Sequence, residues 1–491
     1  MQIYFHSSST KFKFMKKYIL LAIFIFIQNL IIAQVIDIGN NRELFVDNYL
    51  IENMKEAVLE LHHPVDEGEV LRFDLPWEGA FSAYVTIIRD ENIFKAFYRG
   101  LPGIGQDKFK EVTCYAESID GKNWIKPKLG IQSISGSTDN NVIIVSEEIT
   151  HNFSPFLDQN ITVPKTEKYK ALAGKKKTGL FALVSSDGIH WKKKMDSAVI
   201  NEGNLDSQNV GFWSTVENKY IAYYRTSDQG FRSVSRSTSN DFINWEAGKK
   251  MEFGEAPLEH LYTQQTSPYF RAPHIYLAIG ARFMPNRKVI SDEQAKNLGV
   301  DPKYYNDCSD AILMSSRGGN HYERQFMESF IRPGIGLQNW VSRSNYPALN
   351  VVQTGEDEMS IYVNQDYAQP SAHLRRYSMR LDGFSSLSAG FEGGEMLSKP
   401  FIFDGKALEL NYSTSAAGVI LVELLDEEGN KLPGYSMEEC QPIIGNEISR
   451  TVYWNKSNDL SKLVGKPVKM RIYLKDAAVF SFKFRKQNAD R

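Results

Sequence analysis

Between residues 259 and 276 the chain brings together one carboxylate, two imidazoles, three phenols and a guanidinium, in the order Glu259, His260, Tyr262, Tyr269, Arg271, His274 and Tyr276. Pro268 and Pro273 fix backbone direction among them, and the stretch offers neither a helical nor an alternating apolar face. Such a mixture suits a pocket better than a core strand. Two chemistries fit it. Glycoside hydrolysis needs one carboxyl group that protonates the leaving oxygen and a second, ionised one as base or nucleophile; Glu259 is the candidate acid, with Asp206 or Glu78 as partner. Elimination from an acidic sugar needs a cation to neutralise the sugar carboxylate and a base to take the neighbouring C–H proton. Arg271 suits the first role, and His260, His274 or Tyr262 the second.

The elements that position these groups follow from a repeat. Ser118-Ile119-Asp120-Gly121-Lys122-Asn123-Trp124 recurs as Ser185-Ser186-Asp187-Gly188-Ile189-His190-Trp191, and again from Ser237 to Trp245 with one residue added; weaker copies lie at 315–322 and 380–384. Asp-Gly pairs suit tight turns, because Gly takes positive φ freely and Asp tolerates it. Before each copy lie two β-rich runs, such as 84–88 with 93–98 and 169–173 with 180–184. Five units of this kind match the four-stranded blades of a propeller better than a β-sandwich, which does not repeat one turn motif per four strands. The first strand of a blade lines the central channel, so polar residues at its start are where chemistry collects. Glu78, Asp158, Asp206 and Asn209 stand at or near such starts, and Asp158 and Asn209 are candidate substrate contacts. Trp340, after Arg332-Pro333-Gly334, is a candidate platform for a sugar ring.

From about residue 387 alternating runs such as Leu408-Glu409-Leu410-Asn411-Tyr412 indicate half-buried antiparallel sheet, read as a β-sandwich over 387–491. At the other end, Lys16-Lys17 followed by an apolar run from Tyr18 to Ile32 and Ala33-Gln34 reads as an export signal over 1–33, leaving 34–386 for the propeller. The expected location is periplasmic or secreted. The run is short and no second one follows it, which argues against stable membrane insertion. Removing 1–33 leaves 53 Lys+Arg against 59 Asp+Glu, a net charge of -6. That balance gives no basic field for nucleic acid. Cys114, Cys308 and Cys440 are widely spaced and odd in number, so they read as buried thiols, with no metal spacing and no cofactor motif.

The five-unit pattern with an appended sandwich resembles, in architecture, the five-bladed propeller enzymes of glycoside hydrolase families 32 and 43. It is similar more closely to exported bacterial proteins described as glycosyl-hydrolase-like, through Glu43-Leu44-Phe45-Val46-Asp47, Pro76-Trp77-Glu78-Gly79, Asp206-Ser207-Gln208-Asn209, Glu259-His260-Leu261-Tyr262 and Phe270-Arg271-Ala272-Pro273-His274. The first two families carry three channel acids, an order that Glu78 or Asp47, then Asp158 or Asp206, then Glu259 would meet. Their Trp-x-Asn-Asp-Pro and Arg-Asp-Pro motifs are absent. The resemblance implies sugar chemistry on an oligosaccharide substrate, neutral or acidic, without fixing the reaction. The expected activity is glycoside hydrolysis; the alternatives are a lyase or dehydratase acting on a uronate, and a non-catalytic glycan-binding propeller.

Overall fold

The computed structural model describes residues 35–102 and 110–486, which are almost wholly β-structure. The export signal expected over 1–33 lies outside the described residues. Among the described residues no helix is long and apolar enough to cross a membrane.

Five antiparallel sheets form the blades of a propeller. Blade I contains Ala83–Asp90, Ile93–Gly100, Val112–Ser118 and Val142–Val145; blade II contains Ser154–Leu157, Tyr169–Lys175, Gly179–Ser185 and Lys192–Lys193. Blade III contains Val210–Ser214, Lys219–Asp228, Phe231–Ser239 and Lys249–Lys250. In blade IV the inner edge is broken into Leu261–Thr263 and Thr266–Tyr269, both paired with Ala272–Met284, which carries Cys308–Ser316 outside it. Blade V runs from Tyr346–Pro347 and Val352–Gln353 through Glu358–Gln365 and His373–Arg380. Its outermost strand is Val65–Arg72, from the start of the chain. One blade built from both ends of the propeller closes the ring.

The repeated motif is the turn that leaves each third strand. Asp120 Oδ1 accepts from the backbone N–H groups of Lys122 and Asn123, at 2.8 Å each, and from Ser118 Oγ, while Gly121 sits at φ +70°. Asp187 and Asp241 repeat this geometry. The third copy aligns from Ser239 with no added residue, Phe242 taking the glycine position at φ +68°. The aromatic residues then pack between strands; Trp191, for example, meets Phe153 and Phe97 edge-on.

The C-terminal region is one hydrogen-bonded eight-stranded sheet dominated by Ala407–Leu425 and Lys469–Arg485, around a core that includes Leu408, Leu410, Ile472, Phe482 and Trp454. The boundary expected at 34 needs correction. Arg42–Leu44, Ile51–Lys55 and Ala57–Leu61 belong to this sheet, paired with Lys469–Arg485, Gly394–Ser398 and Ser385–Ala389. Ile38, Phe45 and Leu50 bury themselves in its core, while Leu44, Val46 and Leu61 pack against blade residues such as Ile275, Leu277 and Ile361.

Candidate active site

Inner strands start at one end of the channel and run to the other. Residues at the start of each first strand, the end of each second strand and the start of each third strand therefore share one mouth. Asp206, Tyr262 and His260 come to this end, and the side chains around them are Tyr84, Arg99, Glu111, His151, Arg225, Arg232, Asp307, Arg343, Tyr346 and Tyr367.

His151 links two carboxylates, with Nδ1 2.9 Å from Glu111 Oε1 and Nε2 2.9 Å from Asp206 Oδ1. Burial alone would lower the His151 pKa, but the bonds to Asp206 and Glu111 outweigh it and hold the proton to higher pH. Asp206 also meets Arg225 Nη2 at 3.3 Å; the His151 bond first, then Arg225, holds its carboxyl far below the usual range. Glu111 faces Arg99 Nη1 at 3.4 Å, and Arg99 donates to Tyr367 Oη at 3.1 Å and lies over the Tyr84 ring. Tyr262 is the centre of the cluster. Arg225, Arg232 and Arg343 lie 5.2, 5.5 and 5.1 Å from its ring centroid, and the Tyr346 ring packs against it at 5.0 Å. Arg343 also covers Tyr304 and Tyr367.

On the Arg343 and Tyr346 side stands Asp307, whose pKa is raised by burial against the lowering influence of Ser342, Arg343 and Arg232. Its Oδ1, like the Tyr346 hydroxyl and Arg343 Nε, is buried without a hydrogen-bond partner. Backbone strain gathers at the same place: Tyr84, Arg343 and Asn345 hold φ values of +56°, +59° and +66°, a conformation that costs non-glycine residues free energy and collects at functional positions. The segment between the last two strands of blade IV, including the helix Asp292–Asn297, packs Ile290, Ala295, Val300 and Tyr304 beside Phe81, Tyr84 and Tyr367. It supplies Tyr304 and Asp307 to the rim.

Below the mouth the channel is closed by amides. Gln208 Nε2 donates to Thr86 Oγ1 at 2.9 Å, and Gln265 Nε2 donates to Gln208 Oε1 at 2.6 Å and to the Pro347 carbonyl at 2.8 Å, tying four blades across the axis. Beside the mouth a cavity of about 580 Å³ is lined by Glu259, His260, Phe283, Arg332 and Trp340.

The expected residues separate into groups. Asp206 and Tyr262 lie in the mouth. His260 and Trp340 line the adjoining cavity; the His260 ring packs on Phe231, its Nδ1 accepts from the Arg232 N–H at 3.2 Å, and burial with Arg232 nearby lowers its pKa. Glu259 lines that cavity too, but both its oxygens are taken, by Arg282 Nη1 and Arg324 Nε at 2.9 Å each. Asn209 bonds the carbonyls of Leu205 and Ser207 and the Arg225 N–H, and so shapes the loop that carries Asp206.

Four candidates lie elsewhere. Glu78 is wholly enclosed, bonded by Tyr98, Lys126 and the Leu75 N–H. Asp158 is bound within the blades by Lys170 at 2.7 Å and by Tyr220 at 2.8 Å. Arg271 and His274 lie at the far end of the channel, Arg271 bound to Asp382 and His274 to Glu43, both at 2.9 Å. An extended chain advances about 3.3 Å per residue, so nine residues of inner strand and turn carry Arg271 the length of the blade away from Tyr262. The dense polar stretch in the sequence is one strand visiting both ends of the channel.

No protein-family model and no curated protein sequence matches the chain. Solved structures resemble it in outline. One is a glycoside hydrolase at 11% identity, covering 65% of this chain and 92% of its own, with a TM-score of 0.45. Another is an N-acetylgalactosamine deacetylase from F. plautii in complex with blood group B trisaccharide, at 12% identity, 66% and 96% coverage and a TM-score of 0.44. A glycosyl hydrolase from Bacteroides ovatus follows at 14% identity, 70% and 93% coverage and a TM-score of 0.36. The expected likeness to glycosyl-hydrolase-like bacterial proteins is met at this level, and the chemistry rests on this chain's own residues.

Proposed function

We propose that this protein is an exported carbohydrate-active enzyme that hydrolyses a glycosidic bond at the channel mouth, with Asp307 as proton donor to the leaving oxygen and Asp206 as the ionised partner. One observation supports this above the others: two carboxyl groups in opposed environments flank the same tyrosine-lined site. Asp206 is half-exposed and held ionised by His151 and Arg225, whereas Asp307 is pushed by burial toward its protonated form. Environments that drive two carboxyl groups apart in pKa divide the acid and base roles between them. Glu259, the acid first expected, has no oxygen free of an arginine to carry a transferable proton. Tyr84, Tyr262 and Tyr346 are buried and form the wall behind the two carboxyl groups, and the adjoining cavity with Trp340 extends the site for a longer oligosaccharide. Export rests on Lys16-Lys17 and the apolar run that follows. The C-terminal sheet, folded round its own core, is read as a sandwich that braces the propeller.

A second reading, elimination from a uronate, is favoured by the guanidinium groups gathered around Tyr262, since they would neutralise the sugar carboxylate. Mass spectrometry of products from a panel of neutral and uronate-containing oligosaccharides separates the two. Hydrolysis adds one water to the sum of the products; elimination gives an unsaturated product with new ultraviolet absorbance. For hydrolysis, Asp307→Asn and Asp206→Asn are each expected to lower kcat about 10²- to 10⁴-fold, the contribution of a positioned acid or base, in folded protein. Wild-type rates in either variant remove that residue from the mechanism. Binding without turnover on the whole panel makes the protein a glycan-binding propeller instead.

A further inference from the structure

We infer that the mouth is built to seat an anionic sugar, a uronate or a sulfate ester, with Arg343 and Arg232 gripping the anion; this deepens the hydrolase reading and rests on it. Most buried or partly buried arginines elsewhere in the fold are matched to acids; Arg380 and Arg485 instead donate to amide, carbonyl or hydroxyl oxygens. Arg42 pairs with Glu409, Arg236 with Glu217, Arg282 with Asp310, Arg317 with Asp47 and Arg376 with Glu358. In the mouth, Arg99 and Arg225 have Glu111 and Asp206. Among the described residues Arg232 and Arg343 are in no ion pair, yet both are partly buried and both lie over Tyr262. Their other neighbours are aromatic rings: Phe283 for Arg232, and Tyr304 and Tyr367 for Arg343.

Leaving a partly buried cation without an anion is costly, and Arg343 keeps its place on a left-handed backbone as well. A fold that sustains both costs at one point leaves the charge available to something else. The surrounding groups do not cancel it. Four arginines and His151 face Glu111, Asp206 and Asp307, so with all three acids ionised the mouth carries one net positive charge, and two when His151 is protonated, in a chain whose overall formal charge is negative. Guanidinium forks suit planar carboxylates and sulfate oxygens alike. Tyr262 and Tyr367, buried beneath the guanidinium groups, hold them in place.

The test is binding of acidic oligosaccharides and their neutral counterparts by calorimetry, on the Asp307→Asn variant so that turnover is slowed during the measurement. The probes are oligogalacturonides, hyaluronan oligosaccharides and sulfated carrageenan oligosaccharides, each beside its carboxyl-reduced or desulfated form. At least one acidic probe is expected to bind about ten- to hundredfold more tightly than its neutral form, a charge-assisted contact's worth, and less tightly as salt rises. Whether the preferred probe carries carboxylate or sulfate identifies the source of the anion. Arg343→Gln and Arg232→Gln should each remove most of that preference, and Arg343→Lys should restore part of it, while affinity for the neutral forms stays within about twofold. Equal affinity for acidic and neutral members, no binding of any acidic member, or an unchanged preference in both glutamine variants overturns the inference. Cleavage of neutral oligosaccharides without acidic preference would overturn it and leave the hydrolase reading standing. Tight acidic binding with no cleavage by the wild type would do the reverse.

Discussion

Asp382 offers a direct way to decide whether the far end of the channel is chemical or structural. Its carboxylate is fully buried where blade V meets the C-terminal sheet. Oδ2 accepts from Arg271 Nη1 at 2.9 Å, Ser481 Oγ at 2.6 Å and Asn411 Nδ2 at 3.1 Å, and lies 3.5 Å from Arg42 Nη1; Oδ1 accepts from the Tyr269 hydroxyl at 2.8 Å. Replacing Asp382 with alanine strips all of these at once. Removing one partner of a buried ion pair costs about 3–5 kcal/mol, but two features reduce the figure here. Arg42 keeps Glu409 at 2.6 Å, and Arg271 is 17% exposed and can turn to water. The expected loss for Asp382→Ala is therefore near the lower bound, about 3 kcal/mol. Asp382→Asn keeps an acceptor at the Oδ2 position but loses the charge and puts an amide donor where Oδ1 accepts from the Tyr269 hydroxyl, so about half of that or somewhat more is expected, from the difference between charge-assisted and neutral bonds. The assay is urea unfolding followed by tryptophan fluorescence, with limited proteolysis to detect separation of the sheet from the propeller. A loss below about 1 kcal/mol in the alanine variant would refute the structural reading. So would wild-type stability combined with lost turnover, which would return Arg271 to the list of substrate contacts.

Two further outcomes follow. His151 has its folded pKa raised above the ordinary 6.5, so its contribution to stability is complete below that value and is lost as pH rises through the raised one; the stability difference between wild type and His151→Gln should shrink across that upper window, and an NMR titration placing the His151 pKa at or below 6.5 would contradict it. Lys170→Met should cost about 3–5 kcal/mol by leaving Asp158 buried without its cation, while the folded fraction keeps full turnover; a variant that melts like the wild type but has lost substrate affinity would make Asp158 a binding residue after all.

The repeat made the propeller legible because its turn is local chemistry: Ser, Asp and Gly, or Phe242 in glycine's place, close it within four residues, whatever the rest of the blade does. The mouth was harder to read for the opposite reason. Its residues come one or two at a time from five blades, so Arg343, two residues before Asn345, or His151, three before Ser154, carries no local signal of its own. The signal lay in position, since each precedes an inner strand as Asp206 does, and the ends of second strands repeat it with Arg99 and Arg225. Composition along a single segment pointed instead to residues 259–276, where a strand passes through both ends of the channel. Charge density along the chain therefore marked a real element and misjudged its role: Tyr262 faces the mouth, whereas Arg271 and His274 tie the propeller to a sheet that the chain's first strands help to build. In a propeller the informative comparison is between equivalent positions of successive blades, because only those positions are brought round to one point.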